Sequence, residues 1–385
     1  MSYDFPAMQH LYDVIVLGLG GMGSAAAYHL AQRGACVLGL DAHPRGHALG
    51  SSHGKSRIIR QAYFEAPEYV PLLFRAYVLW RELEQESERS LLRITGGLNV
   101  GPPDGELVAG ALASARRHGL PHEYLTAAEV NARFPGYRLP DSLAAVYEPQ
   151  AGILAPEECT AAHLDLAARR GAELHHNEPV RRWGVAGPDV RVETDQAVYT
   201  AARLVIAPGP WALEVLAELA LPLEVQRVVN VHFEPATPEL FTPERCPVYL
   251  WELPEGFYYG FPALPEQGIK FGRHDVSEPC TPQTIRRDVS PAEVEALQSV
   301  LNRYMPGAAA AVKWTLTCMY TNTPDRHFVI DRHPRHEQVT IACGCSGHAF
   351  KFASVIGEIL AELALAGVTH HSIGFLTLRR FAAPG

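Results

Sequence analysis

The sequence predicts an α/β fold (α+β in its second part), with one parallel sheet built from separated stretches of chain and a mixed sheet filling the gaps. Three observations carry that expectation. Near the beginning, the β-branched run 13–17 feeds a glycine turn and then a helix of small residues. Near the end, the run 339–343 passes through Gly344 into a second apolar helix, repeating the strand–glycine–helix unit. Between them, aromatic and small residues alternate around 256–274, the period-two pattern of antiparallel strands.

Composition narrows the function classes. The 385 residues suffice for about two or three domains with a sizeable core. A formal charge of −9, from 33 basic against 42 acidic residues, argues against a nucleic-acid partner, whose non-specific binding is mostly cation–phosphate attraction. No apolar run approaches the ~20 residues of a membrane span. Residues 1–6 lack the charged and apolar regions of a signal peptide, so a cytoplasmic location is expected. The seven cysteines are odd in number, scattered and without a C-x-x-C pair, which speaks against both a disulfide framework and a zinc site. Lysine is scarce: Lys55, Lys270, Lys313 and Lys351 are the four among 33 basic residues.

The first strand is followed by Gly18-Leu19-Gly20-Gly21-Met22-Gly23, which fits G-x-G-x-x-G. Gly18 allows the turn, Gly20 lets backbone approach a pyrophosphate, and Gly23 lets helix and strand pack closely. The N-terminus of the following helix offers unpaired N–H groups to phosphates. A second strand, 36–40, ends in Asp41, where a carboxylate can accept both hydroxyl protons of an adenosine ribose. These features predict dinucleotide binding and leave NAD and FAD open. The run 203–207 before Pro208-Gly209 reads as another strand returning to this sheet. Interruption of the nucleotide fold is common in flavoproteins and favours FAD.

Three segments could carry chemistry. Residues 50–60 combine a Gly/Ser/His loop with Lys55, Arg57 and Arg60, an anion-receiving stretch beside the nucleotide. On the strand 268–274, Lys270, Gly272 and His274 project to one face, and burial there would lower the lysine's pKa. In the third, Cys318 precedes a strand near 328–331, and the turn through Gly347 and His348 leads to Lys351. That lysine is expected in the first turn of the last helix, where a cation opposes the dipole by a few tenths to ~1 kcal/mol. Loops are expected at 101–105, 235–247 and 277–282.

In this order the segments resemble the family of monomeric sarcosine oxidase, N-methyltryptophan oxidase and L-pipecolate oxidase, flavoenzymes that oxidise secondary amino acids. The likeness is carried by Ser52-His53-Gly54 through Arg60, Tyr258-Tyr259-Gly260-Phe261-Pro262, Lys270 with His274, Cys318-Met319-Tyr320-Thr321, and Gly347-His348 with Lys351. It runs over essentially the whole chain. The resemblance implies FAD bonded through the Cys318 sulfur to the 8α carbon of its ring, with His53 and Arg57 against the ring. Ser52, Gly347 and Lys351 are further cofactor contacts. It also implies that Arg60 and Lys351 hold the substrate carboxylate, Tyr258 and His274 flank the substrate, and the Gly347 backbone touches its amine. Lys270 then orders a water over flavin N5 and promotes reaction with O2.

The activity so implied is oxidation of an N-methyl or other secondary amino acid by hydride transfer to N5, imine hydrolysis and reduction of O2 to H2O2, in a monomer. The chain departs from the family's frequent His-His-Gly-Asp-Thr-Arg at Ser52-His53-Gly54-Lys55-Ser56-Arg57, and it carries Ala349 where the family often has glycine. The Ser-His-Gly form and Thr321-Asn322-Thr323-Pro324-Asp325 are closer to the pipecolate branch, which makes a pipecolate- or proline-type oxidase the alternative. An NAD-dependent dehydrogenase and a non-catalytic FAD subunit are readings from other classes; the second should have lost the cysteine and the carboxylate clamp. The expected division is a discontinuous Rossmann-like FAD-binding domain, 1–90, 145–220 and 318–385, and a mixed-sheet substrate domain, 91–144 and 221–317.

Overall fold

The computed structural model describes residues 12–275 and 278–381; residues 1–6 and position 277 of the expected 277–282 loop lie outside them. Its organisation starts at the glycine turn. The strand Tyr12–Leu17 is buried at every position but Asp13 and ends at Gly18, whose φ of +88° is a left-handed conformation suited to glycine. The helix Gly21–Gln32 follows at once and is buried along most of its length. Gly23 is where that helix meets the strand: a Cβ there would lie 1.7 Å from the Gly18 carbonyl oxygen.

Tyr12–Leu17 pairs in parallel with Val37–Leu40 on one side and with Val198–Ile206 on the other, and His336–Cys343 joins beyond in parallel. The first large sheet is therefore assembled from three separated stretches, as expected. An antiparallel wing, Val180–Ala186 with Asp189–Thr194, extends it. The last helix, Ala353–Ala366, lies against Gly21–Gln32, and Gly357 lets the two backbones approach: its Cβ would sit 2.5 Å from Ala25. Lys351 differs from expectation. It lies in a short 3-10 turn, Phe350–Phe352, just ahead of that helix, because the turn from Gly347 uses three more residues before α-helical bonding begins.

The second large sheet is mixed. Glu224–Glu234, Val248–Leu253, Gly256–Leu264, Gly268–Arg273 and Ala311–Asn322 form most of it, joined by Gly97–Gly101, Glu123–Thr126 and Ala144–Glu148. Two strands cross the expected boundaries. Ala144–Glu148 pairs with Gly97–Gly101, and Ala311–Asn322, which carries Cys318, pairs along its whole length with Glu224–Glu234. The divisions at 145 and 318 thus fall inside strands of this sheet. A small third sheet, of Arg57–Ile59, Leu92–Ile94 and Gly152–Leu154, takes chain from both sides of the boundary near residue 90. Among the described residues no helix is long and apolar enough to cross a membrane.

The contact at Gly23 is testable without any ligand. Gly23→Ala should destabilise the protein by about 1–3 kcal/mol through overpacking against backbone. Gly184→Ala, whose Cβ would meet nothing within 4 Å, should fall within ~0.5 kcal/mol of the parent in urea unfolding.

Candidate active site

A cavity of ≈ 560 Å³ runs from the ends of the parallel strands to the inner face of the second sheet. Its first part is built by the glycine turn. Gly18 and Gly20 line it, and the Gly21 N–H donates to Ser52 Oγ at 2.9 Å, which fastens the 50s loop to the start of the helix. Gly23 does not line the cavity; it holds strand and helix together beneath it. Asp41 sits at the end of its strand and lines the cavity. Its oxygens accept the Leu19 and His43 N–H groups at 2.8 and 2.9 Å, so the carboxylate is held firmly at the rim. His43 lies between His47 and Trp211, with ring centroids 4.7 and 4.9 Å away. A glycine cradle that side chains would fill, a fixed acid and flat rings along an extended cavity fit an adenine dinucleotide.

Further in, cations gather. The Arg57 guanidinium donates to the carbonyls of Ser51, His53 and Ser56, locking the loop around itself. Lys270 is buried, and its Nζ donates to the Gly54 carbonyl at 2.8 Å and the Ser56 carbonyl at 3.1 Å. Burial pushes its ammonium well below the usual lysine range and the Arg57 charge adds to this, while Cys318 and Glu157 oppose it. Cys318 is buried and lines the same region, its Sγ 4.0 Å from the Ser51 carbonyl oxygen.

A second cationic group lies deeper. Arg60 is buried and donates from one Nη to both Glu65 oxygens at 2.7 Å, with its guanidinium carbon 4.2 Å from the centre of the Tyr63 ring. Burial alone would raise the Glu65 pKa, but Arg60, His348 and Lys351 outweigh it and hold the carboxyl at about 2. Lys351 Nζ donates to the His348 carbonyl at 2.6 Å. Burial, reinforced by Arg60, brings its ammonium down to about 7 against the pull of Glu65. The His348 ring is fixed in turn: Nε2 donates to the Arg326 carbonyl at 2.9 Å, leaving Nδ1 to accept from the Tyr63 hydroxyl.

Aromatic groups complete the wall. Tyr259 donates to Asn230 Oδ1 at 2.7 Å, and the Tyr320 hydroxyl lies 3.3 Å from His274 Nδ1. Burial lowers the His274 imidazole to about 4, so the ring is neutral at ordinary pH. Gly347 has φ +77°, and a Cβ there would stand 2.5 Å from the Tyr320 ring; only backbone fits.

Most of the residues singled out from sequence meet in this cavity: Gly18, Gly20, Asp41, Ser52, Arg57, Arg60, Lys270, His274, Cys318, Gly347 and Lys351 all line it. Two catalytic expectations need correction. Tyr258 faces away: it stacks on Phe271 in the core at 5.4 Å and its hydroxyl donates to the Glu255 carbonyl, while its neighbour Tyr259 reaches the cavity. Strand alternation sends adjacent residues to opposite faces. His53 is buried but does not line the cavity; burial and the Arg57 charge lower its imidazole to about 4. Sequence reasoning missed Glu65, Asn230, Tyr259 and Tyr320 as cavity residues.

A family profile described as DAO, FAD dependent oxidoreductase, matches residues 13–363. The chain belongs to this family. The nicotinamide reading is thereby set aside. Monomeric sarcosine oxidase of Streptomyces avermitilis is 50% identical over 383 residues, covering 98% of this chain and 99% of that protein. N-methyl-L-tryptophan oxidase of Salmonella newport is 34% identical over 374 residues, with 96% and 99% covered. Among solved structures, the open form of NikD, an unusual amino acid oxidase, superposes with a TM-score of 0.84 at 27% identity, covering 96% of this chain and 98% of that one. The enzyme is an FAD-dependent oxidoreductase.

The lowered Lys351 pKa has a measurable consequence. A carboxylate ligand beside Arg60 and Lys351 gains most from the charged lysine, which is fully present well below pH 7 and is lost as the pH rises through it. Acetate affinity for the FAD-loaded enzyme, read from the flavin absorption spectrum, should therefore be flat below pH 7 and weaken by up to about tenfold per pH unit above it. In Lys351→Met the bend at pH 7 should disappear.

Proposed function

We propose that this enzyme oxidises sarcosine-like N-methyl amino acids, with FAD tethered through Cys318 and O2 as the electron acceptor, yielding H2O2. The observation that carries the reading is the convergence of Arg60, Lys351, Lys270 and Cys318 on one cavity of a chain half identical to a monomeric sarcosine oxidase. We assign FAD binding to the first sheet and substrate binding to the second, in a cytoplasmic monomer. FAD, when bound, supplies a two-electron acceptor for the amine's carbon–hydrogen bond and hands the electrons on to oxygen.

The chain's own part is to bind, orient and exclude water. Arg60 and Lys351 hold the substrate carboxylate, and the Tyr63 ring beneath both cations shields the pair from solvent. Because the carboxylate is fixed at one end, the amine and its carbon are confined to the space bounded by Gly347, His274, Tyr259 and Tyr320. Orientation of this kind lowers a barrier by several kcal/mol, of order 7–11 at best. The neutral His274 and the Tyr320 hydroxyl can hold the amine without protonating it, which leaves its lone pair available. Lys270 holds a hydrogen-bond-donating nitrogen in the same cavity as Cys318, and in its protonated form its charge would favour the electron transfer that forms superoxide.

Two measurements test the reading. In a peroxide assay over sarcosine, L-pipecolate, L-proline and N-methyltryptophan, sarcosine should give the highest kcat/KM; a clear preference for pipecolate or proline would transfer the enzyme to the cyclic amino acid branch. Acid precipitation of the wild-type protein should carry the yellow colour into the pellet, whereas Cys318→Ala should release it to the supernatant. Release from the wild type would remove the covalent tether.

A further inference from the structure

Glu157 lines the cavity yet has no part in the scheme above. It stands in the first turn of the helix Pro156–Arg169 and reaches across to the 50s loop. Its Oε1 accepts the Gly54 N–H at 2.8 Å and the Lys55 N–H at 3.1 Å; Oε2 accepts the Lys55 N–H at 3.2 Å. Gly54 and Lys55 have φ of +104° and +68°, so two successive residues are left-handed. Consecutive N–H groups in such a turn form a small concavity that receives an anion. For Lys55 the conformation is costly, and it persists where the surroundings hold it. The Glu157 carboxylate is that hold.

The other side of the same peptide faces Lys270. The carbonyl of Gly54 and the N–H of Lys55 belong to one planar trans unit and point in opposite directions. Lys55 N–H is bound by Glu157 while Gly54 C=O accepts Lys270 Nζ at 2.8 Å. Fixing one end of the plane fixes the other. The fit is close, since a Cβ on Gly54 would lie 3.4 Å from Nζ. Glu157 is also among the charges that favour the protonated form of Lys270 against burial and Arg57.

We propose that Glu157 is a positioning residue for Lys270, acting through the Gly54–Lys55 peptide to aim the carbonyl that holds the lysine nitrogen. The inference rests on the reading of Lys270 as the group that promotes reaction with oxygen.

The test compares FAD-loaded wild type, Glu157→Gln, Glu157→Asp, Lys270→Met and the Lys270→Met/Glu157→Gln double variant. Stopped-flow records anaerobic reduction by sarcosine and reoxidation by O2 separately. Amide hydrogen exchange of the segment 51–57, measured by mass spectrometry, gives a readout independent of turnover. Glu157→Gln should slow reoxidation at least about tenfold, leave reduction within about twofold, and speed exchange in 51–57 at least about tenfold. Glu157→Asp keeps the charge with a shorter reach and should fall between wild type and Glu157→Gln in both readouts. The double variant should reoxidise no more slowly than Lys270→Met alone.

If Lys270→Met slows reoxidation while Glu157→Gln leaves it unchanged, the positioning role is overturned and the lysine reading stands. If Lys270→Met leaves reoxidation unchanged, the lysine reading itself has failed and the inference falls with it. Should Glu157→Gln not fold, Glu157→Asp decides: slowed reoxidation with faster exchange supports the role, and wild-type behaviour in both overturns it.

Discussion

Burying positive charge is the constraint on which the rest of this molecule turns. Arg60, Lys270 and Lys351 are each no more than 5% exposed, and Arg57 lines the same cavity. An isolated ammonium or guanidinium taken out of water is very unfavourable, so each must be paired, solvated by dipoles or allowed to lose its proton. All three solutions appear. Arg60, which cannot give up its proton, has the carboxylate of Glu65. Arg57 has three backbone carbonyls. The two lysines have carbonyls and lowered pKa values, because their amines can become neutral.

Those carbonyls come from turns whose shape glycine and left-handed residues make possible. Gly54 and Lys55 turn the 50s loop so that its carbonyls face Lys270, while Ser346 (φ +46°) and Gly347 bring the His348 carbonyl to Lys351. The two large sheets set the distance between these turns. Gly18 and Gly23 fix where the first helix begins, Ser52 ties the 50s loop to it, and Lys270 approaches from the opposite sheet. The polar site is thus a product of the apolar frame. Register in the core strands decides which carbonyl meets which cation.

Legibility in the sequence followed how local each signal is. The glycine turn and Asp41 lie within about one βαβ unit, and strand, turn and helix appeared where the pattern put them. The face carrying Lys270, Gly272 and His274 was also readable, since alternation needs only one strand. Choosing Tyr258 over Tyr259 required the register between two strands: Tyr259 pairs with Gly272 and shares its face, whereas Tyr258 pairs with Arg273. Counting back from the turn near 265 keeps Tyr258 opposite His274; the register shift between Gly260 and Ala263 moves the pairing by one and puts Tyr259 on that face instead, and nothing in the local pattern announces such a bulge. Ala311–Asn322 was missed as a strand because several of its residues are exposed or half-buried, which blurs the apolar pattern. Glu65 was five residues from Arg60 in plain view, but an acid after a basic loop reads as surface until the loop is known to be buried. His53 sat inside a matching motif and yet does not line the cavity, because a motif fixes residue types and not where the folded loop places each side chain.

Glu65 shows how the buried charges and the reaction are connected. The cavity proposed to receive a carboxylate already contains one, bound to the Arg60 guanidinium. With Glu65 in place, Arg60 is neutralised and the folded protein tolerates its burial. In the proposed reading a substrate carboxylate competes with Glu65 for Arg60, and its advantage is Lys351, which lies over the same Tyr63 ring. Lys351 is the cation that Glu65 influences without a hydrogen bond between them. On that reading selectivity for amino acids over simple amines is electrostatic: an amine without a carboxylate leaves Arg60 with Glu65 and gains nothing from Lys351.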